Sequence, residues 1–320
     1  MAQQHSVTSD AANFFRGALM GAADVVPGVS GGTVALVLGI YERLLGAVSH
    51  FDPTLIAKLG KRDFAAAARH IDLRFLAALG CGVVVAVVAL AGVMHHLLEH
   101  HLDVTYAAFF GLILASSVLV GRMCRPQTKA ATFVCVAIGI ASAGAAFWLV
   151  SQDRLQGDDG MPYTFFSGAV AICAMILPGV SGSYLLLMLG KYHEITGIIK
   201  SVPKLEVTGG QLVTLAVFAS GCLVGLLLFS RVLKWLLARF PSQTMAALCG
   251  MMVGSLYKIW PFQRDTTPSV EEFKEKVFQP YWPESFDAHT ITCVAVAAAA
   301  LVLVLGVDAI AWKRSAQKVA

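Results

Sequence analysis

The sequence predicts an all-α integral membrane protein of two inverted-topology repeats, each a re-entrant helical hairpin followed by three transmembrane helices. Three observations carry that prediction. First, 57% of the 320 residues are hydrophobic and only 14% charged, against about a quarter charged in a soluble domain. Second, Pro27-Gly28-Val29-Ser30-Gly31 returns 151 residues later as Pro178-Gly179-Val180-Ser181-Gly182. The match runs on at the same offset: Phe15, Gly17, Gly39, Tyr41 and Gly46 face Phe166, Gly168, Gly190, Tyr192 and Gly197, which marks an internal duplication. Third, basic residues fall unevenly on the two sides of the membrane that this arrangement implies.

In chain order, residues 1–12 form a polar tail, with no charged start before an apolar core and so no evident cleavable signal peptide. The first repeat covers 13–155. Its hairpin spans 13–48, because the apolar run 13–26 is too short to cross: 14 residues reach about 21 Å, against roughly 30 Å of hydrocarbon. Residues 50–74 read as a polar loop with Lys58, Lys61, Arg62, Arg69 and Arg74. Spans follow at about 75–94, 104–121 and 130–150. The second repeat, 156–320, has its hairpin at 162–199 and spans at about 211–230, 244–260 and 290–312. Residues 261–289 form a long, mainly acidic loop without a strong apolar period.

A hairpin plus three crossings is an odd number of passages, so the second repeat enters from the opposite side. With the N-terminus inside, fifteen Lys and Arg fall inside and six outside: Arg154, Lys200, Lys204, Arg264, Lys274 and Lys276. That is the positive-inside asymmetry. Trp148, Trp235, Trp260 and Trp312 fall at span ends, where aromatic belts lie.

Each Pro-Gly-Val-Ser-Gly string breaks an apolar helix in mid-course. Proline lacks an N–H and moves the preceding residue out of the helical region. Serine then stands where an N-cap belongs. The restarted helix offers unpaired N–H groups and the positive end of a dipole to an anion. Paired, Gly/Pro-interrupted segments in matching positions point to the central site of a transporter. The bland alternative is a proline kink with tight packing through small residues. The candidate phosphate- or carboxylate-binding residues are therefore Ser30, Gly31, Gly32 and Thr33 on one tip, and Ser181, Gly182 and Ser183 on the other.

Asp24, three residues before Pro27, is an intramembrane carboxylate whose repeat partner is Met175. Such a group is a functional candidate by default, here for a coupling proton or cation; the alternative is a structural carboxylate satisfied by neighbouring backbone N–H groups. Glu42 and Arg43, with His193 and Glu194 in the mirror positions, are coupling or gating candidates or, the favoured alternative, interfacial caps. Along a straight helix, Glu42 and Arg43 would lie about 18–20 Å beyond Ser30, near the cytoplasmic edge. Arg16 and Lys191 could attract an anionic headgroup or simply snorkel. The His95, His96, Glu99, His100, His101 cluster lacks an HExxH order and reads as a solvated, titratable turn rather than a metal site. No metal or other cofactor, and no nucleic acid, is implied. The seven cysteines form no CxxC pair and read as small buried hydrophobes.

Ala23-Asp24-Val25-Val26-Pro27-Gly28-Val29-Ser30-Gly31-Gly32-Thr33 with Gly39-Ile40-Tyr41-Glu42 resembles the signature of the bacterial polyprenyl-phosphate transporter family, formerly a domain of unknown function. Leu177 to Ser183 with Gly190-Lys191-Tyr192 resembles its second signature, and the likeness covers about residues 13–260. The resemblance implies a multi-pass protein of the bacterial inner (cytoplasmic) membrane, in which the basic-residue count above places both termini on the cytoplasmic side. It also implies a lipid translocase, not an enzyme, that returns undecaprenyl phosphate from the outer to the inner leaflet for envelope polymer synthesis. Two alternatives stay open at this point: an ion-coupled small-anion transporter, and a polyprenyl-pyrophosphate phosphatase. The phosphatase needs an acid/base group beside the phosphate, and the tips carry hydroxyls and one Asp.

Overall fold

A computed structural model describes residues 7–25, 30–152, 158, 160–202, 206–267 and 276–317. Of the residues named above, Val26, Pro27, Gly28, Val29, Arg154, Lys204 and Lys274 lie outside the described residues. So do the side chains of His95, Lys200 and Trp312.

The described chain is helical apart from one short β-hairpin, and it is a multi-pass membrane protein. In order, the helices are α1 (Val7–Asp24), α2 (Gly31–Val37), α3 (Tyr41–Ser49), α4 (Pro53–Gly60), α5 (Phe64–His70), α6 (Leu73–His100), α7 (Leu102–Met123) and α8 (Lys129–Val150). Then come α9 (Met161–Ile176), α10 (Gly182–Met188), α11 (Tyr192–Ser201), α12 (Gly209–Arg239), α13 (Pro241–Ser255) and α14 (Ala288–Gln317). Five described helices, α6, α7, α8, α12 and α14, are long and apolar enough to cross a bilayer, and a sixth span exists if the bent pair α2–α3 is counted as one. The segment expected as a span near 244–260 is the 15-residue α13 extended by a 3-10 turn, Leu256–Ile259.

The chain forms two compact units. One holds Met1–Asp24, Ser30–Val87 and Ser151–Pro241; the other holds Val25–Val29, Val88–Val150 and Ser242–Ala320. In the first unit, small residues let helices pack closely. A Cβ on Gly17 of α1 would meet the Leu79 carbonyl oxygen of α6 at 2.0 Å, and one on Gly82 would meet Phe14 O at 2.0 Å. Their counterparts behave alike: Gly168 of α9 faces Phe218 O of α12 at 2.4 Å, and Gly221 faces Phe165 O at 2.0 Å. The leading arm of each hairpin thus lies backbone-to-backbone on the following long helix, the close approach that small residues permit in membranes.

In the second unit, Gly111 of α7 packs on the Ala297 carbonyl of α14, and Gly250 of α13 packs on the Gly139 carbonyl of α8, each at 2.1 Å from a built Cβ. α7 therefore rests on α14, and α13 on α8. The same unit holds the β-hairpin, β1 (Gln263–Asp265) paired antiparallel with β2 (Phe278–Pro280), Gln263 opposite Pro280. Trp260 Nε1 donates to Tyr281 O at 3.0 Å and ties it down.

Two features differ from a straight reading of the sequence. The trailing arm of each hairpin is not one helix. α2 and α3 meet at 116°, because Gly39 takes φ +68°. Gly190 takes φ +70° between α10 and α11. Both are left-handed conformations that suit glycine, so the rise-per-residue placement of Glu42 and Arg43 does not hold. Residues 50–74 are not plain loop either. They contain α4 and α5, whose starts are capped by Asp52 and Asp63 side chains accepting from Leu55 N and Ala66 N. Ile56 and Phe64 on these helices are 71% and 65% exposed, as in helices lying in a membrane interface.

Gly82→Val and Gly221→Val should each force these helices apart and lower the thermal midpoint in detergent, by the equivalent of about 1–3 kcal/mol or more. Gly80→Ala, with nothing within 4 Å of its Cβ position, should leave it unchanged. Equal midpoints for all three would contradict the packing.

Candidate functional site

The start of α2 and the end of α9 meet in the first unit. α9 ends at Ile176, just before Pro178, and so leaves its last carbonyls without intrahelical donors. Residues of the first hairpin take them. The Ser30 hydroxyl lies 3.2 Å from Met175 O and 3.3 Å from Leu177 O, and donates to one of them. Tyr41 Oη donates to Ile176 O at 3.0 Å. In return, Gly179 N donates to Thr33 Oγ1 at 3.1 Å. Gly32 is small for the same reason: a Cβ there would stand 2.5 Å from Ile176 O. Ser30 and Thr33 are 2% and 3% exposed, so each bond replaces water that cannot reach the groups.

The two tips then differ. At the first, Ser30 is the N-cap of α2 with extended backbone angles, and its Oγ accepts from Gly32 N at 3.1 Å. Gly31 N donates to Asp24 Oδ1 at 2.6 Å. The carboxyl group singled out in the sequence thus accepts from the first N–H of α2 and holds the place at the helix start that an anion would favour. A cavity of about 160 Å³ opens beside it, lined by Met20, Asp24, Gly31, Gly32, Tyr41 and Met175 among others. At the second tip, Met175 stands at the repeat position of Asp24 and provides no carboxylate. Ser181 is the N-cap of α10 by backbone only; its Oγ lies 2.9 Å from Ser183 Oγ instead of capping. Gly182 is pressed against Ala171 O, 2.5 Å from a built Cβ, while Ser183 is exposed.

The remaining candidates are held apart from the tips. Arg43 Nε donates to Asp72 Oδ2 at 2.7 Å, and its guanidinium lies 4.2 Å from the Phe75 ring centroid. Glu42 is exposed. Lys191 is 1% exposed and bonded through Nζ to Glu194 Oε2 at 2.7 Å, so its ammonium is engaged inside the protein. Arg16 donates to Asn13 Oδ1 at 3.0 Å. In the histidine-rich turn, His96 and His100 stack at 4.3 Å, and among the described residues no three His, Cys, Asp or Glu side chains group to hold a metal.

The family's sequence profile for undecaprenyl phosphate translocase-like proteins matches residues 20–277, across both breaks and Asp24. The chain belongs to that family. Among its relatives, a polyprenyl-phosphate transporter of Vibrio cholerae serotype O1 is 36% identical over 311 residues, covering 94% of this chain and 96% of the relative. A polyprenyl-phosphate transporter of Staphylococcus aureus is 31% identical over 257 residues, 78% of this chain and 86% of that one. No solved structure matches the chain. Within this family fold, sequence reasoning passed over the carbonyls of Met175, Ile176 and Leu177 and the hydroxyl of Tyr41. The signal was present: a proline break frees carbonyls that a low-dielectric site must satisfy, and Tyr41 recurs as Tyr192.

Thr33→Val keeps the shape of the side chain but strips the acceptor from a buried N–H. It should cost about 1–3 kcal/mol, read as a lowered thermal midpoint, whereas Thr33→Ser should retain most of the stability. A Val variant as stable as the parent would mean that Gly179 N does not depend on Thr33.

Proposed function

We propose that this protein carries polyprenyl phosphate, undecaprenyl phosphate in particular, across the bacterial inner membrane from the outer to the inner leaflet for envelope polymer synthesis. The observation that supports this reading most is the meeting of two interrupted helices, one carrying its own carboxylate and the other not. A phosphate monoester would settle on the second tip, on the hydroxyls of Ser181 and Ser183 and the backbone of Gly182, with the apolar tail left in lipid. Asp24 would be the coupling group. A proton on Asp24 weakens its hold on Gly31 N and releases Gly31, Gly32, Ser30 and Thr33 to share the phosphate. Substrate and proton then occupy the site together, and loss of the proton restores the built-in anion and expels the phosphate. Glu42, Arg43 and Glu194 would gate the two edges, with Arg16 near one edge as an electrostatic lure.

Two inverted repeats, 13–155 and 156–320, fit this reading. The exchange of partners between α7–α14 and α13–α8, and the shared packing of α1 on α6 and α9 on α12, are what a pseudo-two-fold would produce. The positive-inside asymmetry puts both termini in the cytoplasm. With a carrier's site and transporter relatives, we read the protein as a translocase rather than an enzyme.

Leaflet-resolved transport of a polyprenyl phosphate by protein reconstituted in liposomes tests the proposal. The parent should move the lipid between leaflets without releasing inorganic phosphate. Ser181→Ala should weaken lipid binding about tenfold to a hundredfold, the worth of a hydrogen bond to a charged group. Asp24→Asn should fold and bind but no longer respond to a proton gradient. Transport by Asp24→Asn that follows the gradient as the parent does would remove Asp24 from coupling. Phosphate release from polyprenyl pyrophosphate would replace the carrier by a phosphatase.

A further inference from the structure

The first unit contains a second concavity, ringed by charged and imidazole side chains, that the tip site does not use. It is an open cleft of about 560 Å³, within the size range of small-molecule sites, roughly 300–1,000 Å³. Its walls come from α3, α5 and the start of α6. Three guanidiniums, of Arg43, Arg69 and Arg74, and two imidazoles, of His50 and His70, face it with one carboxylate, that of Asp72.

The cleft is organised rather than merely basic. Asp72 joins α5 to α6 with φ +48°, a left-handed conformation uncommon outside glycine and tolerated by Asp. From there its carboxylate fixes Arg43 at 2.7 Å, while Phe75 backs the same guanidinium at 4.2 Å. His50 and His70 stack at 4.9 Å. His70 is tied to Asp52 at 3.0 Å, and that hydrogen bond holds the Asp52 carboxyl down at about 2. Arg74 is paired with Asp10 of α1. On α12, Lys234 Nζ donates to Ser49 Oγ at 3.1 Å and Arg231 donates to Phe51 O at 3.0 Å. Arg69 alone of the three arginines makes no ion pair among the described residues. Asp72 offsets Arg43 and Asp10 offsets Arg74, so the positive charge of Arg69 is left for an anion to complement. Guanidinium forks match phosphate oxygens bidentately.

We propose that this cleft is a second anion site, for a phosphate group, with Arg69 and Arg43 as its principal ligands. The chemistry is that of a phosphate monoester headgroup or of free phosphate. Its identification as a headgroup station rests on the function proposed above: on that topology the cleft is at the cytoplasmic mouth, where a translocated headgroup would arrive before leaving into the inner leaflet.

Titration calorimetry on the full-length protein in detergent, with farnesyl phosphate and with inorganic phosphate as probes, tests it. The parent should show two classes of farnesyl phosphate site. Arg69→Gln should weaken one class at least tenfold, Arg69→Lys should restore part of it, and Arg43→Gln/Arg69→Gln should abolish it. Ser181→Ala should weaken the other class only. Because Arg43 also braces Phe75 and Asp72, Arg69→Gln, an exposed residue, carries the test if the double variant does not fold. Competition by inorganic phosphate at the Arg69 class would mark a free-phosphate site, and titration by farnesyl phosphate alone would mark a headgroup station; either supports the proposal. Unchanged binding of both probes to Arg69→Gln overturns the cleft site and leaves the tip site standing. Loss of all binding in Arg69→Gln, with none lost in Ser181→Ala, upholds the cleft and removes the phosphate from the tips.

Discussion

A helix that stops inside a membrane exposes carbonyls and N–H groups where no water can satisfy them, and each unsatisfied group costs several kcal/mol. The solution here is mutual. α9 ends before Pro178, and the carbonyls of Met175, Ile176 and Leu177 take hydroxyl donors from Ser30 and Tyr41. The N–H of Gly179 takes Thr33. Neither break would be tolerable alone, so the first and second hairpins are folded against each other by the same groups that make them irregular. Gly32 is fixed as glycine by that contact, since any side chain would strike Ile176 O.

The duplication then makes the exception informative. Ser30 corresponds to Ser181, Gly39 to Gly190 and Tyr41 to Tyr192, but Asp24 corresponds to Met175. The first tip is closed by its own carboxylate and its own N-cap; the second is capped by backbone only, with two hydroxyls turned toward each other. A symmetric pair of tips would give two equivalent anion sites and no reason for a sequence of events. On the proposed function, the Asp24 carboxyl gives an order: it must leave Gly31 N before the two tips can share a ligand. That asymmetry is why the proposed coupling falls on Asp24 rather than on the charged residues nearer the hairpin ends, where Arg43 and Lys191 are already paired with Asp72 and Glu194.

The membrane class and the positions of the breaks were legible in the sequence, because Pro, Gly and long apolar runs act through local backbone physics. The glycine bends at Gly39 and Gly190 were not. A glycine in an apolar run fits a continuous helix as well as a turn, and only packing decides between them. The helices α4 and α5 were hidden for a different reason. Their capping aspartates, Asp52 and Asp63, precede segments of 8 and 7 residues, too short for an amphipathic period to stand out. At the site, the residue types were readable but their pairing was not. Nothing local in the sequence says that Tyr41 meets Ile176 or that Lys191 is buried on Glu194; that backbone N–H groups could satisfy Asp24 was readable, but not that Gly31 supplies one.

The central claim is that the two tips form one phosphate site from which Asp24 is displaced. A cryo-electron microscopy structure of the full-length protein with a prenyl phosphate bound tests it most directly. The account predicts the phosphate between Gly31–Thr33 and Ser181–Ser183, with the Asp24 carboxylate withdrawn from the 2.6 Å contact with Gly31 N. A phosphate bound elsewhere, with that contact intact and the Ser181–Ser183 hydroxyls still paired, would contradict it.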